Sequence, residues 1–344
     1  NRLRAKNKSN RFHQLIIGER MSTLKLRLSM IATLALIIGL STLFFTFILT
    51  WIGITNIVTI GLFIVVFNIA QWLFSPYLIE AMYRAKKVSR KEAPELYDIV
   101  ERLSRKSGIK PPSLMIAKIP IPNAFAYGSP LTGTRVAVTS ELLNTLELEE
   151  VEAVIGHELG HLKHRDVQIM MFVSMLPALF YYLGYSLFWS SQFRSRDERG
   201  NAGLAALIGM LSIAIYWILT LFTLYLSRLR EYYADRHSAS VVEDGARKLS
   251  EGLVKIAYTT ERNRRFRPTR INSLNSFKAL FISDPESAGR DLREIMESGI
   301  LGGDRTLVER YLRRRITTAD KIAEIFSTHP NMIKRLRALQ ELNQ

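Results

Sequence analysis

Residues 28–79 read LSMIATLALIIGLSTLFFTFILTWIGITNIVTIGLFIVVFNIAQWLFSPYLI and contain no Asp, Glu, Lys or Arg. A membrane-spanning helix needs about 20 apolar residues. This run of 52 residues therefore accommodates two spans, with a turn expected near residues 50–56. A soluble core seldom holds so long an uncharged stretch, so the run predicts an integral membrane protein.

A second uncharged region lies further along the chain, in two runs over residues 167–193 and 200–227. Only residues 194–199 separate the two runs, so they predict a second hairpin of membrane helices. The runs contain Pro177 and Gly184, residue types that membrane helices tolerate. The predicted fold class is a mainly α-helical integral membrane protein with four transmembrane helices.

The basic residues that flank these runs predict their orientation. Residues 1–27 hold eight Lys and Arg against one acidic residue, Glu19, and five more Lys and Arg follow over 84–91. Loops on the cytosolic side of a membrane carry such an excess. The turn of the second hairpin, which would lie on the opposite side, also holds three arginines over 194–199. They weaken the argument for this orientation but do not reverse it. We expect a multi-pass protein of the cell (plasma or inner) membrane with both termini in the cytosol.

The overall composition narrows the kinds of site that the chain can build. It has 344 residues, a formal net charge of +16, 48% hydrophobic residues and no cysteine. Disulfides, cysteine-ligated metals and cysteine nucleophiles are excluded, which leaves Asp, Glu and six histidines as metal ligands. The positive charge suits an anionic partner. Because much of it flanks the predicted spans, we expect the lipid bilayer rather than nucleic acid.

The polar segments predict a small β-sheet and several helices. The expected elements are a helix over 92–107 ending at Gly108, strands over 114–119, 123–127 and 135–139, and helices over 140–146 and 228–249. Ser140 is the expected N-cap of the short helix. No proline lies between Glu147 and Pro177, so a helix beginning near Glu147 is expected to run into the third span. Residues 261–270 are expected to form a basic loop.

The segment His157-Glu158-Leu159-Gly160-His161 falls in this long expected helix. Residues four apart lie on one helix face about 6 Å apart along the axis, so the two imidazoles can bind one zinc ion. Glu158 can then accept a proton from the zinc-bound water, whose pKa zinc lowers to about 7. This combination is typical of metalloproteases. Two solvated histidines on a polar helix face are the alternative.

A catalytic zinc needs a third protein ligand and one open position. No histidine stands six residues beyond His161, so that ligand comes from elsewhere. Glu231 follows the fourth predicted span closely, and a membrane hairpin returns it to the depth of the histidines. Asp235, one helical turn later, is placed to hydrogen-bond the far nitrogen of a zinc-bound histidine. An ion pair of Glu231 with Arg228 or Arg230 is the alternative.

These motifs resemble those of the HtpX-type membrane zinc metalloproteases, relatives of the type I CAAX prenyl proteases. The shared pattern is a His-Glu-x-x-His helix over 157–161, a membrane hairpin, and Glu-x-x-x-Asp over 231–235. Asp166, the stretch 279–285 and the pair His329-Pro330 also resemble the family's motifs. The chain departs from the family after Pro330 and in its long basic N-terminal arm. Four predicted spans favour the HtpX type over the CAAX type.

The resemblance implies further site residues. It implies a gluzincin-like zincin domain, one Zn²⁺ per chain, and an edge strand whose backbone pairs with an extended substrate, formed by Asn123, Ala124, Phe125 and Ala126. His329 would stabilise the oxyanion or orient the substrate, unless it caps a helix. Arg335 would fix Asp235 or another carboxylate. His13, His164 and His237 are not expected to be ligands.

The leading hypothesis is a membrane-integrated zinc endopeptidase that acts at the cytosolic membrane surface. The resemblance implies unfolded or membrane proteins as substrates and a role in quality control under stress. A CAAX-type prenyl-peptide protease, and a non-enzymatic basic scaffold that binds nucleic acid or anionic lipid, are the alternatives. The predicted parts are a basic cytosolic arm (1–27), a first hairpin (28–79), a cytosolic part with sheet and zinc helix (80–166), a second hairpin (167–227) and a C-terminal cytosolic part with the third ligand (228–344).

Overall fold

The computed structural model of the chain describes residues 56–192, 199–266 and 304–342. Four predicted features lie outside these residues: the basic arm, the first span with its turn, the arginines at 194 and 196, and the motif over 279–285. The chain forms two compact units. Of the described residues, 56–57, 176–192 and 199–222 belong to the first unit, and 58–175, 223–266 and 304–342 belong to the second.

The described residues are mostly helical, with one small sheet, which confirms that part of the predicted fold class. The helices are α1 (Asn56–Tyr83), α2 (Pro94–Ser107), α3 (Ser140–Thr145), α4 (Leu148–Lys163), α5 (Asp166–Gln192), α6 (Arg199–Val241), α7 (Gly245–Phe266), α8 (Asp304–Arg313), α9 (Thr318–Ile325) and α10 (Met332–Leu342). The strands are β1 (Ala85–Lys87), β2 (Ser113–Ala117), β3 (Ala124–Ser129) and β4 (Gly133–Thr139).

The sheet has the strand order β1-β2-β4-β3. β2 and β4 are parallel, whereas β1 and β3 pair antiparallel with their neighbours. Three strands lie within two residues of their predicted bounds and are confirmed. β1 has three residues, two of them lysines, so it lacks the alternation that would predict a strand. β3 ends the strand order and is an edge strand.

Helix caps explain where two of the helices begin and end. α2 ends at Gly108, whose φ of 68° lies in the left-handed region that glycine adopts without strain, as expected from the sequence. The expectation for α3 is wrong by one residue, because Thr139 and not Ser140 is its N-cap. The Thr139 hydroxyl accepts a hydrogen bond from the Leu142 backbone N–H at 3.0 Å. Ser140 instead donates its hydroxyl to the Ala117 carbonyl.

Helix α4 lies at the centre of the second unit. A capping box closes its first turn, with Glu147 and Glu150 each bonding the other's backbone N–H. Its apolar face joins a core that includes Leu103 of α2, Val138 of β4 and Leu253 of α7. This burial, rather than helix propensity, holds α4 in place.

The helix predicted to run from Glu147 into the third span is interrupted. α4 ends at Lys163 and α5 begins at Asp166, with Arg165 at a φ of 54° between them. A non-glycine residue in the left-handed region costs free energy locally. No Gly or Pro marks this break in the sequence. Asp166, the first residue of α5, contacts His161 and Arg230.

The helix predicted over 228–249 is wrong at both ends. α6 runs unbroken for 43 residues from Arg199 to Val241, and neither Gly nor Pro lies within residues 210–244. The chain then turns at Asp244, whose φ is 52°, and α7 begins at Gly245. α7 continues to Phe266, so residues 261–266 of the predicted basic loop are helical and the rest lie outside the described residues.

One helical segment in the described part of the chain, Gly203–Val241, is long and apolar enough to cross a membrane. The protein buries only 28% of its most apolar window, unlike the core helix of a soluble protein. Within the first unit, α5 and α6 approach closely where Gly184 faces Gly209. A Cβ at Gly184 would lie 2.9 Å from the Gly209 carbonyl oxygen. The count of four spans stays a prediction.

Candidate metal centre

Helix α4 brings the two motif histidines together. His157 is 1% exposed, and its Nε2 lies 3.2 Å from the Nε2 of His161 on the next turn. Helix α6 packs against this face because α4 has glycines there: a Cβ at Gly160 would lie 3.0 Å from the Cα of Ala234. The close approach of the two backbones places side chains of α6 beside both imidazoles.

The third predicted ligand, Glu231 of α6, reaches the same point. Its two carboxylate oxygens lie 3.6 Å from His157 Nε2 and 3.5 Å from His161 Nε2. One ligand atom from each of the three residues falls within 4.8 Å of the others. The ion pair of Glu231 with Arg228 or Arg230, the alternative from the sequence, is absent among the described contacts. Arg228 bonds backbone carbonyls and Arg230 bonds Asp166.

The outer nitrogen of each histidine meets a buried carboxylate. His157 Nδ1 lies 2.9 Å from Asp235 Oδ1, and His161 Nδ1 lies 2.6 Å from Asp166 Oδ2. A carboxylate accepts, so these neighbours favour the tautomers that carry the proton on Nδ1, and in such neutral rings both Nε2 atoms present lone pairs. Two lone pairs that face each other across 3.2 Å repel unless a cation lies between them. A tetrahedral zinc with bonds of about 2.0–2.1 Å sets two nitrogens about 3.3 Å apart, so the donor set fits zinc.

The pKa values of the two histidines also indicate that this site favours positive charge. Burial by itself would lower the pKa of His157, but its contacts with Asp235 and Glu231 outweigh burial and raise the pKa. The pKa of His161 is likewise raised, chiefly by Glu231, against the effect of burial. The carboxylates therefore favour a cation at this point, whether a proton or a metal ion.

A buried arginine pairs with each of the two carboxylates that contact the histidines, Asp235 and Asp166. Arg335 of α10 grips Asp235 with two hydrogen bonds, Nε at 2.9 Å and Nη2 at 2.6 Å, and its Nη1 lies 3.2 Å from Glu231. Burial alone would lower the pKa of Arg335, but Asp235 and Glu231 raise it overall. The sequence expectation for Arg335 was a contact with Asp235 or another carboxylate, and the structure places it against both Asp235 and Glu231.

Arg230 and Asp166 form the matching pair on the His161 side. Arg230 Nη2 lies 2.6 Å from Asp166 Oδ1, and both residues are buried. In the sequence, Asp166 is marked only by its resemblance to the family, and Arg230 is expected only as a partner for Glu231. Nothing in the sequence marks this pair, because the burial of Arg230 is visible only in the folded chain.

Glu158 is not one of the three converging ligands, but its carboxylate interacts electrostatically with all three. It follows His157 in α4 and is 4% exposed, and burial raises the pKa of its carboxyl group. The backbone N–H of Ala126 in β3 donates a hydrogen bond to this carboxylate. The edge strand therefore runs directly beside Glu158.

The predicted substrate strand, Asn123–Ala126, is mostly β3. Asn123 precedes the strand and is tied to Thr139, whose hydroxyl accepts from the Asn123 N–H at 2.9 Å. Side chains alternate along the strand: Ala124 joins the core around α4, whereas Phe125 packs on Tyr83 on the other face. The Phe125 side chain therefore lies on the face of the sheet opposite the core around α4, and the backbone of β3 lies at the edge of the sheet.

His329 also reaches the site, from the segment before α10. Its Nδ1 lies 3.2 Å from Glu231 Oε2, and its Nε2 makes no hydrogen bond within the described residues. It is not a helix cap, because the Asn331 side chain accepts from the Ile333 backbone N–H and takes that role. His237 lies elsewhere, with its Nε2 2.8 Å from the Ser107 hydroxyl.

The chain matches the model of peptidase family M48 over residues 90–343. It is 39% identical to the protease HtpX homolog of Thermoplasma acidophilum over 308 residues, which cover 86% of this chain and 90% of that protein. It is 36% identical to the protease HtpX homolog 2 of Saccharolobus solfataricus over 297 residues, covering 85% and 88%.

The fold is similar to the crystal structure of S. mikatae Ste24p, with a TM-score of 0.51 and 16% identity. The match covers 95% of this chain and 66% of Ste24p, and at this identity it speaks for the fold alone. The family match and the two relatives extend over most of this chain. The chain therefore belongs to peptidase family M48, among its HtpX-type members.

Proposed function

We propose that this chain is a zinc-dependent endopeptidase of the cell membrane that hydrolyses unfolded or membrane polypeptides at the cytosolic surface, in membrane-protein quality control. The observation that carries the catalytic part is the pair of histidine Nε2 atoms 3.2 Å apart, with the Glu231 carboxylate beside them as the third ligand. Glu158 is then free to act as the base. Membership of a peptidase family supports the reaction class.

The residues that would hold the zinc ion are His157, His161 and Glu231. When bound, zinc supplies Lewis-acid chemistry, lowering the pKa of water and polarising a peptide carbonyl. Asp235 and Asp166 keep each imidazole in the tautomer that offers Nε2. Arg335 and Arg230 in turn hold those two carboxylates.

Glu158 would move the protons of hydrolysis. Its carboxylate accepts a proton from the water that attacks the peptide carbonyl, and returns it to the nitrogen of the leaving amine as the C–N bond breaks. Burial raises the pKa of Glu158 toward neutral pH, which suits a group that must both accept and donate.

Two further elements would hold the substrate. The edge strand β3 offers backbone groups for pairing with an extended peptide, which sets the scissile bond beside Glu158. His329 presents an Nε2 without a partner in the described residues and would donate a hydrogen bond to the developing oxyanion.

The continuity of α6 supports the membrane location. The uncharged run ends at Ser227, and Glu231 lies one turn later in the same helix, about 6 Å along its axis. The active site would therefore lie close to the lipid headgroups. Basic residues around the spans support the cytosolic side.

The test compares Glu158→Gln with Glu149→Gln, a surface carboxylate of the same helix. We expect both variants to retain one zinc per chain, while Glu158→Gln lowers cleavage of an unfolded protein by about 10²–10⁴-fold. Equal activity of the two variants would reject the mechanism. A substrate pair that differs only in a prenyl group separates the CAAX-type alternative, which requires the prenylated member.

A further inference from the structure

Helix α9 presents an apolar face to the outside of the protein. Ile322, Ile325 and Phe326 are 55%, 45% and 60% exposed. Their spacing of three and four residues places them on one side of the helix. We refer to these three residues as the α9 patch.

The protein does not bury any residue of α9. An isolated helix shorter than about 12–15 residues is marginal in water, and its stability comes from burying an apolar face. The capping box of Thr317 and Asp320, with hydrogen bonds of 2.8 Å, satisfies only the first turn. The α9 patch therefore needs an apolar environment that the described residues do not supply.

The end of α9 is tied to the point where α6 becomes charged. Arg228 is the first charged residue after the uncharged run, and its Nη1 donates to the carbonyls of Ile325 at 3.1 Å and Ser327 at 2.7 Å. The Arg228 guanidinium also lies 5.8 Å from the ring centre of Tyr225. Tyr and Arg at the end of an apolar span are typical of a membrane–water interface.

We propose that the α9 patch is a membrane-docking surface that inserts among the headgroups of the leaflet at which α6 emerges. Exposed basic residues accompany it: Lys321 in α9, and Arg313 and Arg315 just before it. An apolar face with flanking basic residues is the composition that binds an anionic lipid interface. This inference rests on the membrane location in the proposed function, but not on its chemistry.

A short segment between Glu324 and Asn331 connects the α9 patch to the catalytic site. Glu324 of α9 accepts the backbone N–H of Asn331 at 3.0 Å, and His329 lies between them in the chain with its Nδ1 beside Glu231. Lipid contact at the α9 patch therefore sets the position of His329 and the height of the site above the bilayer.

The absence of cysteine makes a direct test possible. A nitroxide label is attached to Phe326→Cys in the full chain, reconstituted in vesicles of phosphatidylcholine and phosphatidylglycerol. The control is Glu243→Cys, exposed just beyond the end of α6 and about 20 Å along that helix from Arg228. We expect the label at 326 to be more accessible to oxygen than to a water-soluble nickel complex, and the control to show the reverse. Water-like accessibility at both positions overturns the proposal and leaves zinc binding and proteolysis untouched.

A second measurement separates lipid contact from substrate contact. In vesicles, Ile322→Asp with Phe326→Asp should lower cleavage of a membrane-anchored substrate by about tenfold or more. Cleavage of the corresponding soluble peptide in detergent should not change. Equal loss on both substrates, with normal zinc content, would make the α9 patch a peptide-binding surface and overturn the docking proposal.

Discussion

Replacing Arg335 with methionine tests whether the buried charges of the site balance as the structure indicates. Arg335 is 1% exposed and contacts Asp235 and Glu231, which are themselves 2% and 6% exposed. Removing one partner of a buried ion pair costs about 3–5 kcal/mol, because the remaining charges stay desolvated. For a folded unit of this size each kcal/mol shifts the melting temperature by about 2–4 °C, so we expect a fall of about 6–20 °C.

The metal state sharpens this prediction. Bound zinc would compensate the charge of Glu231, so Arg335→Met should lose more stability in the metal-free protein than in the zinc-loaded protein. The assay follows tryptophan fluorescence during heating of purified protein in detergent, with saturating zinc and with chelator. Adding Asp235→Asn to Arg335→Met should cost less than the sum of the two single losses, since the residues share one interaction.

A surface pair provides the control. Arg90 and Asp98 lie 2.5 Å apart with both side chains 59% exposed, so Arg90→Met should cost only about 0–1 kcal/mol. Arg335→Lys keeps the charge but loses the bidentate grip, and should fall between Arg335→Met and the wild type. If Arg335→Met and Arg90→Met have the same melting temperature, the reasoning about buried charge is refuted.

Three other predictions concern the metal centre. Asp166→Asn should raise the zinc dissociation constant about 10–100-fold, measured by competition with a chelating dye, whereas Asp98→Asn should leave it unchanged. Gly160→Ala should weaken zinc binding and cost about 1–3 kcal/mol, because its Cβ would press on the α6 backbone. In Gly252→Ala the nearest atoms lie at 3.6 Å, so that variant should gain up to about 1 kcal/mol and keep its zinc; equal zinc affinity of the two variants would contradict the packing argument. Zinc removal by chelation should lower the melting temperature and zinc addition restore it; an unchanged value would argue against a metal held by the folded state.

Local patterns predicted the elements whose determinants lie within a few residues. Gly108 ends α2 because its left-handed φ suits glycine, and three strands follow from the alternation of apolar and polar residues. β1 and the break at Arg165 were missed, since neither has a local marker. The continuity of α6 was missed for a different reason: a change from apolar to charged residues alters the surroundings of a helix without breaking its hydrogen bonds.

By itself, the sequence determined which ligands were available and how they are spaced within each helix. With no cysteine, the metal must be bound by histidine and carboxylate. The helical period sets His157 against His161, and Glu231 against Asp235, before any packing occurs. Only the tertiary structure decided how these pairs meet and which charges support them. Arg335 grips a carboxylate 100 positions away, and Arg230 turns from its neighbour Glu231 to Asp166. The physical reason is that a buried charge is stable only beside an opposite charge, and the packing of α4, α6 and α10 determines which residue lies beside it.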